Sequence, residues 1–218
     1  MTLELFTARV CPYAHRTRLC LLEKGLEVEL HEIDFKNKSK RFLEVSPYGR
    51  VPALVHDGTV VYESAVINEY LDEVFPKPRL MPADPAARAF TRIWIDYLDH
   101  QLLDDYYDLI KAREPAAQAA LKAKVEDRFR FVEREGLARH AGPYWLGATL
   151  GLLDLAWYPF FERMPAWRHY RGLDVPAECG RLRAWLEAMA ARPSVRSMAN
   201  DGAYYVRQYA GYAGAEAA

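Results

Sequence analysis

The stretch Cys11-Pro12-Tyr13-Ala14-His15-Arg16 follows a short apolar run and opens a helical pattern. Residue types in this order can do thiol chemistry. Proline suits the first position of a helix, where a missing N–H costs nothing, so Cys11 stands at a helix start. The unpaired N–H groups and the positive dipole end there favour thiolate over thiol. Arg16 and Arg18, within the next two turns, add positive potential. A thiolate so placed attacks a disulfide sulfur or another electrophile. A dithiol redox site carries a second cysteine where this chain has Ala14, so an external thiol must release any adduct. His15 is a candidate base about one turn in, at an angle the sequence leaves open. A satisfied core histidine is its blander reading. Cys20 and Cys179 lie in apolar helical patterns and read as small buried hydrophobes.

The elements around this thiol mix two periodicities. Residues 3–6 (LELF) suggest a strand, and the helix that begins at Pro12 should stop at Gly25. EVELHEID alternates as a second strand. VPALVHDGTVVYES reads as two strands around a His56-Asp57-Gly58 turn, the clearest hairpin signal in the chain. In SAVINEYLDEVF, Ile67, Tyr70, Leu71 and Val74 define an amphipathic helix. The order is β-α-β, a longer connection, then β-β-α. Four prolines between residues 76 and 85 predict a linker. Beyond it the pattern is helical over 87–110, 119–140, 150–164 and 179–192, with an Ala/Gly-rich C-terminal tail expected to fray.

Bulk properties exclude several classes. The 218 residues are 51% hydrophobic and 27% charged, with a formal net charge of −1. No global field steers the chain to nucleic acid or an anionic membrane. Three irregularly spaced cysteines argue against a disulfide framework or a zinc site. Glu4 falls where a signal peptide carries its apolar run, and the longest uncharged stretch is broken by Gly and Pro well short of a membrane span. The expectation is a protein of a reducing compartment with no metal.

Three motifs occur in order: CPYAHR, then KNKSKRFLEVSPYGRVPALV, then YESAVINEYLDE. With them the whole chain resembles the glutathione S-transferases, and the cysteine-type omega-like class in particular. The resemblance implies a thioredoxin-like α/β domain over residues 1–76, a linker at 77–84 and an all-α helical domain over 85–218. It implies glutathione as co-substrate and Cys11 as the reacting group, with Pro12 and Tyr13 flanking it. Val51-Pro52 matches the segment whose cis-proline offers backbone groups to the cysteinyl part of glutathione. Glu63-Ser64 matches the pair that binds the γ-glutamyl end, and Lys38 the lysine that reaches the glycyl carboxylate. Without the other motifs these would be an ordinary strand-opening proline, a serine cap and a solvated charge run.

The family builds an acceptor pocket from its helical domain, which makes Tyr107, Tyr158 and Tyr205 candidates to line it. An open aromatic pocket suits flat or bulky acceptors. Asp154 matches the family's buried capping box, where Gly151 replaces the usual hydroxyl residue. Glutathione-dependent thiol transfer follows: deglutathionylation, or dehydroascorbate or quinone-conjugate reduction. CPYAHRT is also similar to the motif of glutathionyl-hydroquinone reductases, which are longer chains. Reductive dehalogenation uses the same cysteine, and a non-catalytic binding module is the alternative of another class. The family further implies a cytoplasmic homodimer taking a small electrophilic or disulfide acceptor.

Overall fold

The computed structural model describes residues 2–215. The chain divides into two compact units, Met1–Pro82 and Ala83–Ala218. In the first, the elements are β1 (Leu3–Thr7), α1 (Pro12–Glu23), β2 (Glu29–Glu32), α2 (Lys40–Val45), β3 (Ala53–His56), β4 (Thr59–Tyr62) and α3 (Ser64–Val74). The sheet runs β2-β1-β3-β4, with β1 parallel to β2 and antiparallel to β3. A parallel pair needs a crossover, and α1 supplies it. Gly25, at φ +63°, takes the left-handed turn that ends this crossover, with its N–H on Leu22 O. The β3–β4 hairpin closes on two residues, Asp57 and Gly58, both at positive φ, with His56 opposite Thr59. That backbone is the one an Asp-Gly pair favours.

Two local readings change in the fold. The long connection after β2 contains α2, whose start is capped by Ser39 Oγ accepting from Phe42 N at 3.2 Å. On α3 the buried face is Ser64, Ile67, Asn68, Leu71 and Asp72, while Val74 is exposed. The stripe turns toward polar residues because a buried partner awaits one of them. Lys24 Nζ lies 2.7 Å from Asp72 Oδ1 and donates to the carbonyls of Phe75 and Pro78 at 2.8 and 2.9 Å. The other donors to Asp72 are the N–H groups of Leu80 and Met81. The proline-rich stretch is therefore tied to the first unit: Leu80 and Met81 are buried there. After the linker expected at 77–84, the next helix begins at Pro85, where Asp84 caps Ala87 N at 2.8 Å.

The second unit is helical: α4 (Pro85–Tyr97), α5 (Leu103–Lys111), α6 (Pro115–Phe131), α7 (Leu152–Glu162), α8 (Met164–Arg171), α9 (Gly180–Ala190), α10 (Pro193–Met198) and α11 (Gly202–Ala213). Two of the four runs predicted as helical contain a π-helical turn, Leu98–Leu102 between α4 and α5 and Val132–Gly136 after α6. Of the Ala/Gly-rich tail, α11 takes residues as far as Ala213, and 216–218 lie outside the described residues. Trp145, Trp157, Trp167 and Trp185 are fully enclosed in this unit. Indole N–H groups need acceptors when buried. Trp157 finds Trp94 O at 3.1 Å, Trp167 finds Tyr106 O at 2.7 Å and Trp185 finds Asp154 Oδ1 at 2.8 Å.

Asp154 completes a one-sided capping box. Its carboxylate accepts from Gly151 N at 2.8 Å and Trp145 N at 3.0 Å, and glycine returns no side-chain bond. Burial outweighs these donors and pushes its carboxyl up to about 6.

Candidate functional site

Cys11 caps α1 with extended backbone (φ −73°, ψ 119°), and Pro12 occupies the first turn. Its N–H donates to Ala8 O and its carbonyl accepts from His15 N, both at 3.0 Å, so the thiol's origin is held from both sides. The side chain sits half-buried at the edge of a cluster formed by Phe6, Ala8, Ala14, Phe42, Val45, Val51, Ala53 and Val55. The thiol lies 3.7 Å from Val51 O. Val51–Pro52 is a cis bond, and the fold brings this segment and Cys11 into direct contact across 40 positions. Burial pushes the Cys20 thiol up to about 12 and raises Cys179 as well. His15 is enclosed, with 1% of its surface accessible, and takes the core reading.

The loop before Pro52 is shaped by one hydroxyl. Ser46 Oγ donates to Arg50 O at 2.6 Å and accepts from Arg50 N at 3.0 Å, while Gly49 N reaches Ser46 O at 2.8 Å. Gly49 needs its left-handed φ of +58° for this turn, and Lys38 Nζ lies over it, 3.2 Å from where a Cβ would stand. Lys38 itself is exposed and precedes α2. Arg41 of α2 reaches both oxygens of Glu4 on β1 at 2.7 Å, and His31 Nε2 lies 3.0 Å from the same carboxylate. The Arg41 guanidinium holds the Glu4 carboxyl below its usual range. Glu4, Glu29 and His31 each bring one ligand-type atom within 4.8 Å of the others, a gathering no spacing in the sequence signals. Arg41 pairs with the Glu4 carboxylate from α2.

Glu63 caps α3 at φ +70°, a backbone region uncommon for a side-chain-bearing residue and frequent at ligand-holding positions. Its carbonyl accepts from Ile67 N at 2.8 Å, which leaves the first N–H groups of α3 without intrahelical acceptors. Ser64 is buried, and Arg16 Nη1 donates to its Oγ at 3.3 Å. The guanidinium stands 4.9 Å from the Tyr13 ring centroid. The N-terminus of α3 thus carries the N–H groups and the positive dipole end that attract negative charge.

Two family models match the chain, the N-terminal domain of glutathione S-transferases over residues 10–74 and the C-terminal domain over 115–188. Glutathione S-transferase omega-1 of Sus scrofa is 31% identical over 197 residues, covering 90% of this chain and 80% of that protein. The chain belongs to the glutathione S-transferase family. Glutathione S-transferase U19 of Arabidopsis thaliana is 32% identical over 87% of this chain and 85% of its own length. The crystal structure of rice glutathione transferase 1 in complex with glutathione superposes with a TM-score of 0.87 at 30% identity, covering 98% of this chain and 96% of that one. A four-stranded mixed sheet followed by a helical unit is this family's fold.

The three tyrosines of the helical unit fall in different surroundings. Tyr205 is fully enclosed, accepting from Asn200 Nδ2 at 3.1 Å, and burial pushes its phenol up to about 12. Tyr158 is buried edge-on to Trp185, its phenol also raised by burial. Burial makes both packing residues. Tyr107 keeps some exposure, with its hydroxyl 3.5 Å from Tyr209. The residues around the glutathione motifs to which sequence reasoning assigned no contact are Arg16, read there only as added positive potential, Ser46 and Arg41. Only Arg16 left a trace, as the charged member of an otherwise apolar Arg16-Leu19-Cys20 face.

Proposed function

We propose that this chain is a glutathione-dependent thiol transferase that works through a Cys11–glutathione mixed disulfide. The observation that carries the reading is Cys11 at the start of α1 in contact with the Val51–Pro52 segment. The Cys11 thiolate attacks the glutathione sulfur of a mixed disulfide, forms Cys11–S–S–glutathione and releases the acceptor as a thiol. A second glutathione thiolate then attacks the glutathione sulfur of the adduct, regenerating Cys11 and leaving as oxidised glutathione. A mixed disulfide or a glutathionyl quinone conjugate consumes one free glutathione, the other half of the oxidised glutathione coming from the substrate, and dehydroascorbate consumes two, so electrons balance. Conjugation should be weak, since that chemistry uses a Tyr or Ser hydroxyl to hold a glutathione thiolate and Cys11 occupies the place.

Lys38, Glu63, Ser64 and the backbone of Val51 are assigned to the tripeptide, with Pro12 and Tyr13 bordering its sulfur. Tyr107 is assigned to the acceptor. A cytoplasmic homodimer is part of the same reading and is tested by sedimentation. No helix among the described residues is long and apolar enough to cross a membrane. Intact mass after incubation with oxidised glutathione, followed by peptide mapping, tests the mechanism. One adduct confined to Cys11 and removed by reduced glutathione supports it. Equal thiol-transfer rates for the wild type and Cys11→Ser end it.

A further inference from the structure

We propose that Glu4, Glu29 and His31 form a binding site for a divalent transition metal of the zinc class, and that the Arg41 guanidinium competes with the ion for it. The proposal stands apart from the thiol-transfer reading. Side chains two positions apart on a strand share a face of the sheet. β1 therefore sends Glu4 and Phe6 to one face, and β2 sends Glu29 and His31 to the same face, with Glu4 opposite Glu29 and Phe6 opposite His31. Phe6 stacks on the His31 ring at 4.6 Å, which holds the imidazole beside the carboxylates. A site carried by paired strands keeps its geometry better than one on loops.

The distances select the ion. Zinc binds imidazole nitrogen and carboxylate oxygen at about 2.0–2.2 Å, so two ligand atoms around a tetrahedral ion stand roughly 3.4 Å apart. His31 Nε2 lies 3.0 Å from Glu4 Oε2 and 3.6 Å from Glu29 Oε1, on either side of that spacing. All three ligand atoms fall within 4.8 Å of one another. With its proton on Nδ1, the imidazole turns the Nε2 lone pair to a metal. One nitrogen with two oxygens suits zinc over magnesium or calcium, which take oxygen alone. No cysteine takes part, so the cysteine spacing has no bearing on this site. Arg41 Nη2 donates to both Glu4 oxygens at 2.7 Å and occupies lone pairs the ion needs. More than half of the arginine side chain is exposed, so solvent weakens the pair. An ion that wins Glu4 takes away the charged link between α2 and β1.

Calorimetric titration of the full-length Cys11→Ser chain with zinc chloride tests this, the substitution keeping the reactive thiol from taking the ion. A saturable binding event is expected, and magnesium chloride at the same concentration should give none. His31→Gln should weaken zinc by about a hundredfold and Glu29→Gln by about tenfold, the range covered by losses at metal sites. Arg41→Met should tighten it by about fivefold, the scale of an exposed ion pair that no longer has to break. Glu29 is exposed, so its variant reports even if His31→Gln does not fold. Zinc affinity unchanged in Glu29→Gln overturns the site, and so does magnesium that binds as tightly as zinc. Loss confined to His100→Gln, whose Nδ1 lies 3.0 Å from Asp96 Oδ1, places the ion on that surface pair and overturns it as well. Arg41→Met that leaves zinc unchanged or weakens it overturns the competition.

Discussion

Replacing Asp154 by asparagine should change how stability depends on pH, by an amount the structure sets. Asp154 is fully enclosed, and burial raises its carboxyl from 3.8 to about 6 despite three donors. The folded state thus holds a proton more tightly than the unfolded state. Between these two values it binds more protons, and the stability it draws from this group falls as pH rises. The contribution is complete below 3.8 and gone above about 6. A shift of this size, at 1.36 kcal/mol per unit, amounts to about 3 kcal/mol. Asparagine has the same shape and does not titrate. Urea unfolding of both proteins at half-unit steps from pH 3 to 7 should show their stability difference moving by about 3 kcal/mol in the variant's favour, most of it below pH 6. A difference that stays constant, or moves toward the wild type, would refute the reasoning. It would show that the N–H groups of Trp145, Gly151 and Trp185 outweigh the cost of burying the charge.

Lys24→Met should destabilise the first unit by about 3–5 kcal/mol, because it strands the Asp72 carboxylate in an enclosed position; denaturant melts should show Lys24→Met/Asp72→Asn recovering part of the loss, and a single variant within 1 kcal/mol of wild type would sink this account. Ser46→Ala removes both bonds that shape the loop ahead of Pro52. It should cost about 1 kcal/mol in the melt and raise KM for glutathione several-fold with kcat little changed, whereas a fall in kcat at constant KM would place Ser46 in the chemistry instead.

Features that depend on neighbours along the chain were legible. The Cys11-Pro12 helix start, the Asp57-Gly58 turn and the helical second half follow from backbone preferences that act over a few residues. The motifs around Val51-Pro52 and Glu63-Ser64 gave the family for the same reason, since each is a contiguous string. One element was missed: α2 was too short for any periodicity to show.

The sequence by itself determined which residues could do chemistry: one thiol at a helix start, no second cysteine beside it, and a serine heading a later helix. Only the tertiary structure decided what holds them. The thiol reaches Val51 O across 40 positions, Arg16 reaches Ser64 across 48, and Arg41 reaches Glu4 across 37. α3 turns Asp72 inward because Lys24, 48 positions away, is enclosed there. Charged side chains carry no local signal of burial, since their cost in the interior depends on a partner that only the closed chain supplies.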